Sequence, residues 1–437
     1  MSSAPSSSRS TLITVLSDTA FPDQVIDVAA FLSRSKPEAE RSDYINAWQA
    51  KASADDVDAD AVVEGICAEF KGLGEGLDRE IEGVHNLVTA LIFSVADSQK
   101  AERLIDAHVA TISRETGKET VKYRILSNIF NSLPPTSPTR STVFSALLNL
   151  ASHADDLDLL SPALASLPHW LAQWSIPEAQ KAQLLETVAT KLEQSSNGSD
   201  AEKAYEFRLA HLQYLSSTHE AAGASTTATA SAEKAIASAL RLPRVFAFDS
   251  LLKLSVVESL SSSSSALFSL LKILVSGSLR DYQSWATSNS AELQRLSIPA
   301  ALVERKVRLL EVTALCSRAL ESSRSQPDDA SGSSGGAEVP YSLISSSLSI
   351  PSSDVEATII DVIRAGLVSG KLSQTRETFR VYRSTYRSFG AEQWGVLEER
   401  LAEWERTISG ILATLGGPRG AGGQAQGASE AQAVAAA

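Results

Sequence analysis

The sequence predicts a mostly α-helical protein: a right-handed α-solenoid of helical hairpins, capped by a winged helix and followed by a C-terminal heptad helix. Three observations predict it. Apolar residues recur at spacings of three and four along most of the 437-residue chain, which places one stripe down a helix face. Proline, glycine and serine gather between those stripes. Past residue 340 the pattern changes to two short helices and a strand-like alternation.

The first helical stretches set the pattern. Leu77, Ile81, Val84, Val88, Leu91 and Val95 mark residues 77–98 as one amphipathic segment. Comparable stripes lie near 22–33, 57–70, 99–115, 119–133, 139–153, 178–194 and 200–216. Pro134, Pro135, Pro138, Pro162, Pro168 and Pro177 fall between stripes and are expected to end helices. Helices of this length with no strands between them predict stacked antiparallel hairpins, although no strict sequence period is present. The helical pattern resumes after the Ala/Thr/Ser stretch at 221–230, near 231–241, 246–260, 265–276, 279–288 and 299–320.

SSRSQPDDASGSSGGAEVP, residues 322–340, reads as a flexible linker. Beyond it, Tyr341 to Ile350 forms a short helix stopped by Pro351. Ser353 and Glu356 have capping-box spacing and open a helix whose face carries Val355, Ile359, Ile363 and Leu367. Gly370 is expected to close that helix in the left-handed conformation, and KLSQTRETFRVYR reads as a β-hairpin. The expected organisation is a disordered 1–10, a helical solenoid over 11–215, and a second module over 216–387. That module comprises helical repeats at 231–320, the 322–340 linker and a winged helix at 341–387. A terminal helix at 388–415 and a disordered tail at 416–437 complete the chain.

Composition narrows the function. A net charge of −13 and a pI near 5.1 supply no global field toward nucleic acid or anionic membrane. No apolar run reaches the roughly 18–20 residues of a membrane span, and MSSAPSSSRS lacks the apolar core of a secretory signal. A cytoplasmic location is expected. Cys67 and Cys316 read as reduced, buried thiols rather than a disulfide or metal pair. RAGLVSGKLSQ, residues 364–374, approaches a phosphate-binding loop, but only three residues separate Gly366 from Gly370 and Leu372 replaces the magnesium-binding hydroxyl. A helix precedes the glycines and a strand follows, the reverse of a phosphate cradle, so the stretch reads as a corner. Gly72, Gly74 and Gly76 read as a connector. Asp55–Asp56 and Asp155–Asp156 read as charges preceding helices. No two of the six histidines read as a pair; His85, His108 and His211 fall in helical stripes as structural residues. Without a convergent acid, base or nucleophile, no enzyme and no cofactor or metal are expected.

Two features carry interaction chemistry. Trp394, Leu397, Leu401, Trp404, Ile408, Ile411 and Leu415 alternate spacings of three and four, an a/d seam. Such a seam docks either in a partner's helix bundle or back on the chain's own winged helix. Arg364, Lys371, Arg376, Arg380, Arg383 and Arg387 fall close together, with Glu377 as the one acid among them. This basic patch has three readings: subunit contact, solvated surface and RNA phosphates. Arginine is favoured at protein interfaces, which puts direct RNA contact last.

A solenoid ending in a winged helix resembles the PCI module of the proteasome lid, the signalosome and translation initiation factor three. LSNIFNSLP at 126–134, ALRLPRVFAFDSLLKL at 239–254, VIRAGLVSGKLSQ at 362–374 and RSTYRSFGAEQWGVLEERLAEW at 383–404 resemble more particularly the M-subunit family of eukaryotic translation initiation factor three, in its filamentous-fungal form. The resemblance covers about residues 80–412. It implies a non-catalytic scaffold subunit, 216–387 being the PCI module. Its implied partners are other PCI and MPN subunits and, through the complex, the small ribosomal subunit, and the family gathers its terminal helices into one bundle. A signalosome or lid subunit is the alternative in the same class, and a free winged-helix nucleic-acid binder the alternative in another.

Overall fold

A computed structural model of the protein describes residues 20–416, apart from 55–56, 115–116, 199, 219–225, 262–264 and 325–335. The expectations for 1–10, Asp55–Asp56 and the tail beyond 416 lie outside the described residues. The chain divides into two compact units that part between residues 221 and 222.

The first unit is a stack of helices: α1 (Phe21–Leu32), α2 (Glu38–Ala52), α3 (Ala59–Ala68), α4 (Asp78–Ser94), α5 (Ser98–Arg114), α6 (Glu119–Ser132), α7 (Thr139–Ala154), α8 (Ser161–Gln173), α9 (Glu178–Gln194) and α10 (Asp200–Thr218). One continuous apolar core runs through it, from Val25 and Phe31 to Leu192 and Phe207. Two helices are absent from the sequence expectation. Helix α2 buries only Trp48 and Ala52, too few positions to show as a stripe. Helix α8 carries Pro162 in its first turn and Pro168 inside it, so neither proline ends a helix. Pro168 withdraws an N–H and costs about 3 kcal/mol or more in an isolated helix. Here Leu164, Leu167 and Leu171 are buried on both sides of it, and Trp170 and Trp174 pack against Phe130 and Phe144. That packing outweighs the local cost.

The second unit begins with α11 (Thr226–Arg241), α12 (Phe248–Leu252), α13 (Ser255–Glu258), α14 (Ala266–Ser276), α15 (Leu279–Arg295) and α16 (Ala300–Arg324). The single helix expected at 246–260 is broken into α12, α13 and a 3-10 turn. Helix α15 leaves helical geometry at Asn289 before resuming, just past the predicted end at 288. Helix α16 is the spine of the unit, packing against α11, α14 and α15 on one side and the wing on the other.

The wing comprises β1 (Ala337–Pro340), α17 (Tyr341–Leu348), α18 (Ser352–Arg364), β2 (Val368–Ser373) and β3 (Thr378–Ser384). Its antiparallel sheet has the order β1-β3-β2, with Val339 opposite Phe379 and Lys371 opposite Arg380. Leu309, Val312, Cys316 and Leu320 of α16 share a core with Ile344, Val355, Ile359, Val362, Phe379 and Val381. The fold is therefore an α-solenoid carrying a winged helix.

Three local expectations are corrected. Residues 322–324 belong to α16 and 337–340 form β1, so the 322–340 segment is not all linker; 325–335 lie outside the described residues. Pro351 caps α18 and no side chain accepts there; the Ser353 hydroxyl instead donates to Asp354 at 3.0 Å. Gly366, not Gly370, closes α18, with φ +73°. The Leu367 N–H reaches the Val362 carbonyl at 3.2 Å and the Gly366 N–H reaches Ile363 at 2.9 Å, a Schellman ending. Gly370 sits beside a β-bulge, where a side-chain carbon would lie 2.4 Å from the Arg380 carbonyl oxygen.

Candidate protein-interaction surface

After β3 the chain runs through a short tether into α19 (Ala391–Gly416). The tether is clamped to the helical part of the second unit. Arg387 donates from Nε to the Leu274 carbonyl at 2.7 Å and from Nη2 to the Ile273 carbonyl at 2.6 Å, both in the last turn of α14, where Ile273 also accepts from the Gly277 N–H at 2.8 Å. The Phe389 N–H donates to Asp249 at 3.2 Å, and Lys253 Nζ donates to the Phe389 carbonyl at 2.7 Å. The Phe389 ring then meets Trp394 edge to face at 5.0 Å. Two of the stretches quoted above, 239–254 and 383–404, thus meet at the root of α19.

Beyond the root, α19 leaves its apolar seam uncovered. Trp394, Leu401, Trp404, Ile408, Ile411 and Leu415 are between 54% and 67% exposed, and Leu397 is half-buried. Leu412, 63% exposed, widens the seam over the last turns and escaped the strict a/d count. From Thr407 to Gly416 no residue is charged. The described residues of the chain do not fold over this face.

The predicted basic patch is not one surface. Arg364, Lys371, Arg376 and Arg383 are exposed. Arg380 is half-buried and stands in the sheet between Lys371 on β2 and Glu338 on β1. Arg387 turns inward to the clamp, where burial pushes its guanidinium down to about 10. Its sequence neighbourhood hid this role, because the carbonyls it serves lie more than a hundred positions earlier.

Other chemistry-bearing residues hold the fold. His85 and His108, expected to be unpaired, meet: His85 Nδ1 lies 3.2 Å from His108 Nε2, and His85 Nε2 lies 3.1 Å from the Leu73 carbonyl. A carbonyl only accepts, so His85 Nε2 carries a proton and donates to Leu73. Burial and the neighbouring ring hold His108 well below the usual histidine value. Cys316 is buried and Cys67 half-buried, both free, with burial raising each thiol to about 12. Asp155 ends α7 in the left-handed region and its carboxylate accepts from Ser196, while Asp156 stands at the N-cap of the 3-10 turn Leu157–Leu160. Among the described residues no three His, Cys, Asp or Glu side chains gather as metal ligands, and no single helix is long and apolar enough to cross a membrane.

Comparison with known proteins matches this surface directly. The family model described as eIF3 subunit M, C-terminal helix, covers residues 387–415. A protein of Aspergillus oryzae is 33% identical over 377 residues, spanning 84% of this chain and 76% of its own length. Relatives from Neosartorya fischeri (32%, 84% and 76%) and Pyricularia oryzae (30% over 355 residues, 80% and 78%) are similar to it as well. All three carry the name eukaryotic translation initiation factor 3 subunit M.

Proposed function

The chain belongs to the family of eukaryotic translation initiation factor 3 subunit M, and from that premise we propose that it acts as a non-catalytic scaffold of the initiation factor complex. In this reading α19 enters a bundle formed with terminal helices of other PCI and MPN subunits. The assembled complex then supports preinitiation complex assembly on the small ribosomal subunit in the cytoplasm. One observation carries the reading: the exposed seam of α19 coincides with the segment matched by the family's own C-terminal-helix model.

The energetics favour a partner. A buried Leu, Ile or Phe-sized side chain contributes about 1.5–3 kcal/mol, so a seam of this length left in water forgoes a large stabilisation. Its clamped root fixes where the helix leaves the body, which lowers the ordering cost of docking. Family membership separates this chain from the signalosome and lid subunits that share its architecture. The exposed arginines of the wing serve subunit contacts before RNA, because the Arg380 row contains Glu338 and Arg387 is engaged internally.

Affinity purification of the tagged chain from its own cells, followed by quantitative mass spectrometry, tests the proposal. Other initiation factor subunits and small-subunit ribosomal proteins should co-purify with the intact chain and fall away when residues 391–415 are removed. A chain recovered as a monomer, or a partner set indifferent to that deletion, refutes it.

A further inference from the structure

A second polar feature lies beside the root of α19, independent of the seam. A half-open cavity of about 310 Å³ is lined by Ser317, Tyr382, Arg383, Ser384, Tyr386 and Arg400, with Leu320 at its apolar edge. It draws Arg383 from β3 and Arg400 from α19 to one place, and no carboxylate lines it. Among the described residues neither arginine forms an ion pair, whereas Arg305 of the same unit is paired with Asp361 at 3.0 Å.

The walls are set by bonds that leave the arginines uncommitted. Ser317 Oγ donates to Ser384 Oγ at 2.9 Å, and Ser384 Oγ donates to the Thr313 carbonyl at 3.1 Å. The Tyr386 ring rests edge-on against Phe389 at 5.9 Å, so the clamp that roots α19 also fixes this side of the cavity. Two guanidinium groups without an anion, set among hydroxyl groups, form a double positive centre in a chain of net charge −13.

We propose that this cavity binds a phosphate monoester, presented as phosphoserine or phosphothreonine on a segment of a neighbouring protein. A phosphomonoester carries close to two negative charges at pH 7 and three strong acceptor oxygens, which matches two forked guanidinium donors. A carboxylate brings one charge. An RNA strand brings one charge per phosphate and binds through a track of several contacts. No such track leads away from the cavity: Glu398, Glu399 and Glu403 flank Arg400 on α19, and Arg387 is turned into the clamp. Because Arg400 precedes Leu401 of the seam, an occupied cavity would tie the wing to α19 and hold the angle at which the helix meets its partners.

The purified full-length chain tests this by calorimetry with the peptide Gly-phosphoSer-Gly, against Gly-Ser-Gly, Gly-Glu-Gly and an oligouridylate of about ten nucleotides. The phosphopeptide should bind, the serine peptide should not, and the glutamate peptide should bind more weakly. R383Q and R400Q should each weaken binding by about tenfold, the scale of one lost charge-assisted hydrogen bond, while R383K should lose less. R376Q, in the exposed hairpin turn, should change nothing. Affinity should fall as pH drops through about 6, where the phosphate takes up its second proton. Both arginines are exposed, so the variants should keep the parent's circular dichroism and melting curve. Absence of phosphopeptide binding, indifference to R383Q and R400Q, or displacement of the phosphopeptide by the oligonucleotide overturns the proposal.

Discussion

Lys306 is fully buried, and its amine donates to the Ala239 carbonyl at 2.7 Å and the Val245 carbonyl at 2.9 Å. The Ala239 carbonyl needs such a donor, because the residue four positions on is Pro243, which has no N–H. Burial pushes the amine down to about 7, and a neutral amine has two hydrogens for the two carbonyls. The folded value lies below the unfolded one, so unfolding takes up a proton between about pH 7 and 10 and stability rises with pH across that window. Urea unfolding at pH 7 and 9 should show this slope in the parent chain and lose it in Lys306→Met. That variant should also be destabilised by about 1–3 kcal/mol through the unpaired carbonyls. His108 acts in the same direction in a lower pH window. His108 is held neutral below its unfolded value, so its contribution is intact above about pH 6.5 and is lost as pH falls. Hydrogen exchange in α4 and α5 should accelerate, after correction for intrinsic rates, between pH 7 and 5, and less so in His108→Phe. A lysine in a helical stripe and two histidines 23 positions apart gave no sign of these contacts in the sequence, since their partners come from other helices.

At the scale of elements, periodicity located the helices that bury a full stripe, such as α4 with Ile81, Val88, Leu91 and Ile92. It failed where burial is sparse, as in α2, and where packing overrides a local rule, as at Pro168 in α8. The wing was legible as two helices and a hairpin, but its third strand was not: β1 is four residues long and takes its form from pairing with β3. The heptad of α19 was legible residue by residue because its spacing does not depend on what it meets. Leu401→Asp combined with Trp404→Ala should abolish recovery of partner subunits while leaving the urea unfolding of the isolated chain within about 0.5 kcal/mol, as expected of surface positions. Tryptophan emission of the isolated chain should come partly from water-exposed rings, Trp394 and Trp404, and shift blue when the complex assembles.

At the scale of the whole molecule, each of the two units is organised around its own apolar core. The first unit holds one continuous apolar core. The second joins a helical spine to a winged helix and then sends out a helix that its own residues leave uncovered. In the scaffold role proposed above, that uncovered face is where a neighbouring subunit docks.

The sequence by itself determined the helical class, the winged helix and the terminal seam, because periodicity, turn chemistry and heptad spacing are local properties written within a few turns. Only the tertiary structure decided which glycine closes α18, what Arg387 and Lys306 serve, and that Arg383 and Arg400 face one cavity. Those outcomes depend on groups distant in the chain being brought within hydrogen-bond or charge range, and no local pattern encodes that distance.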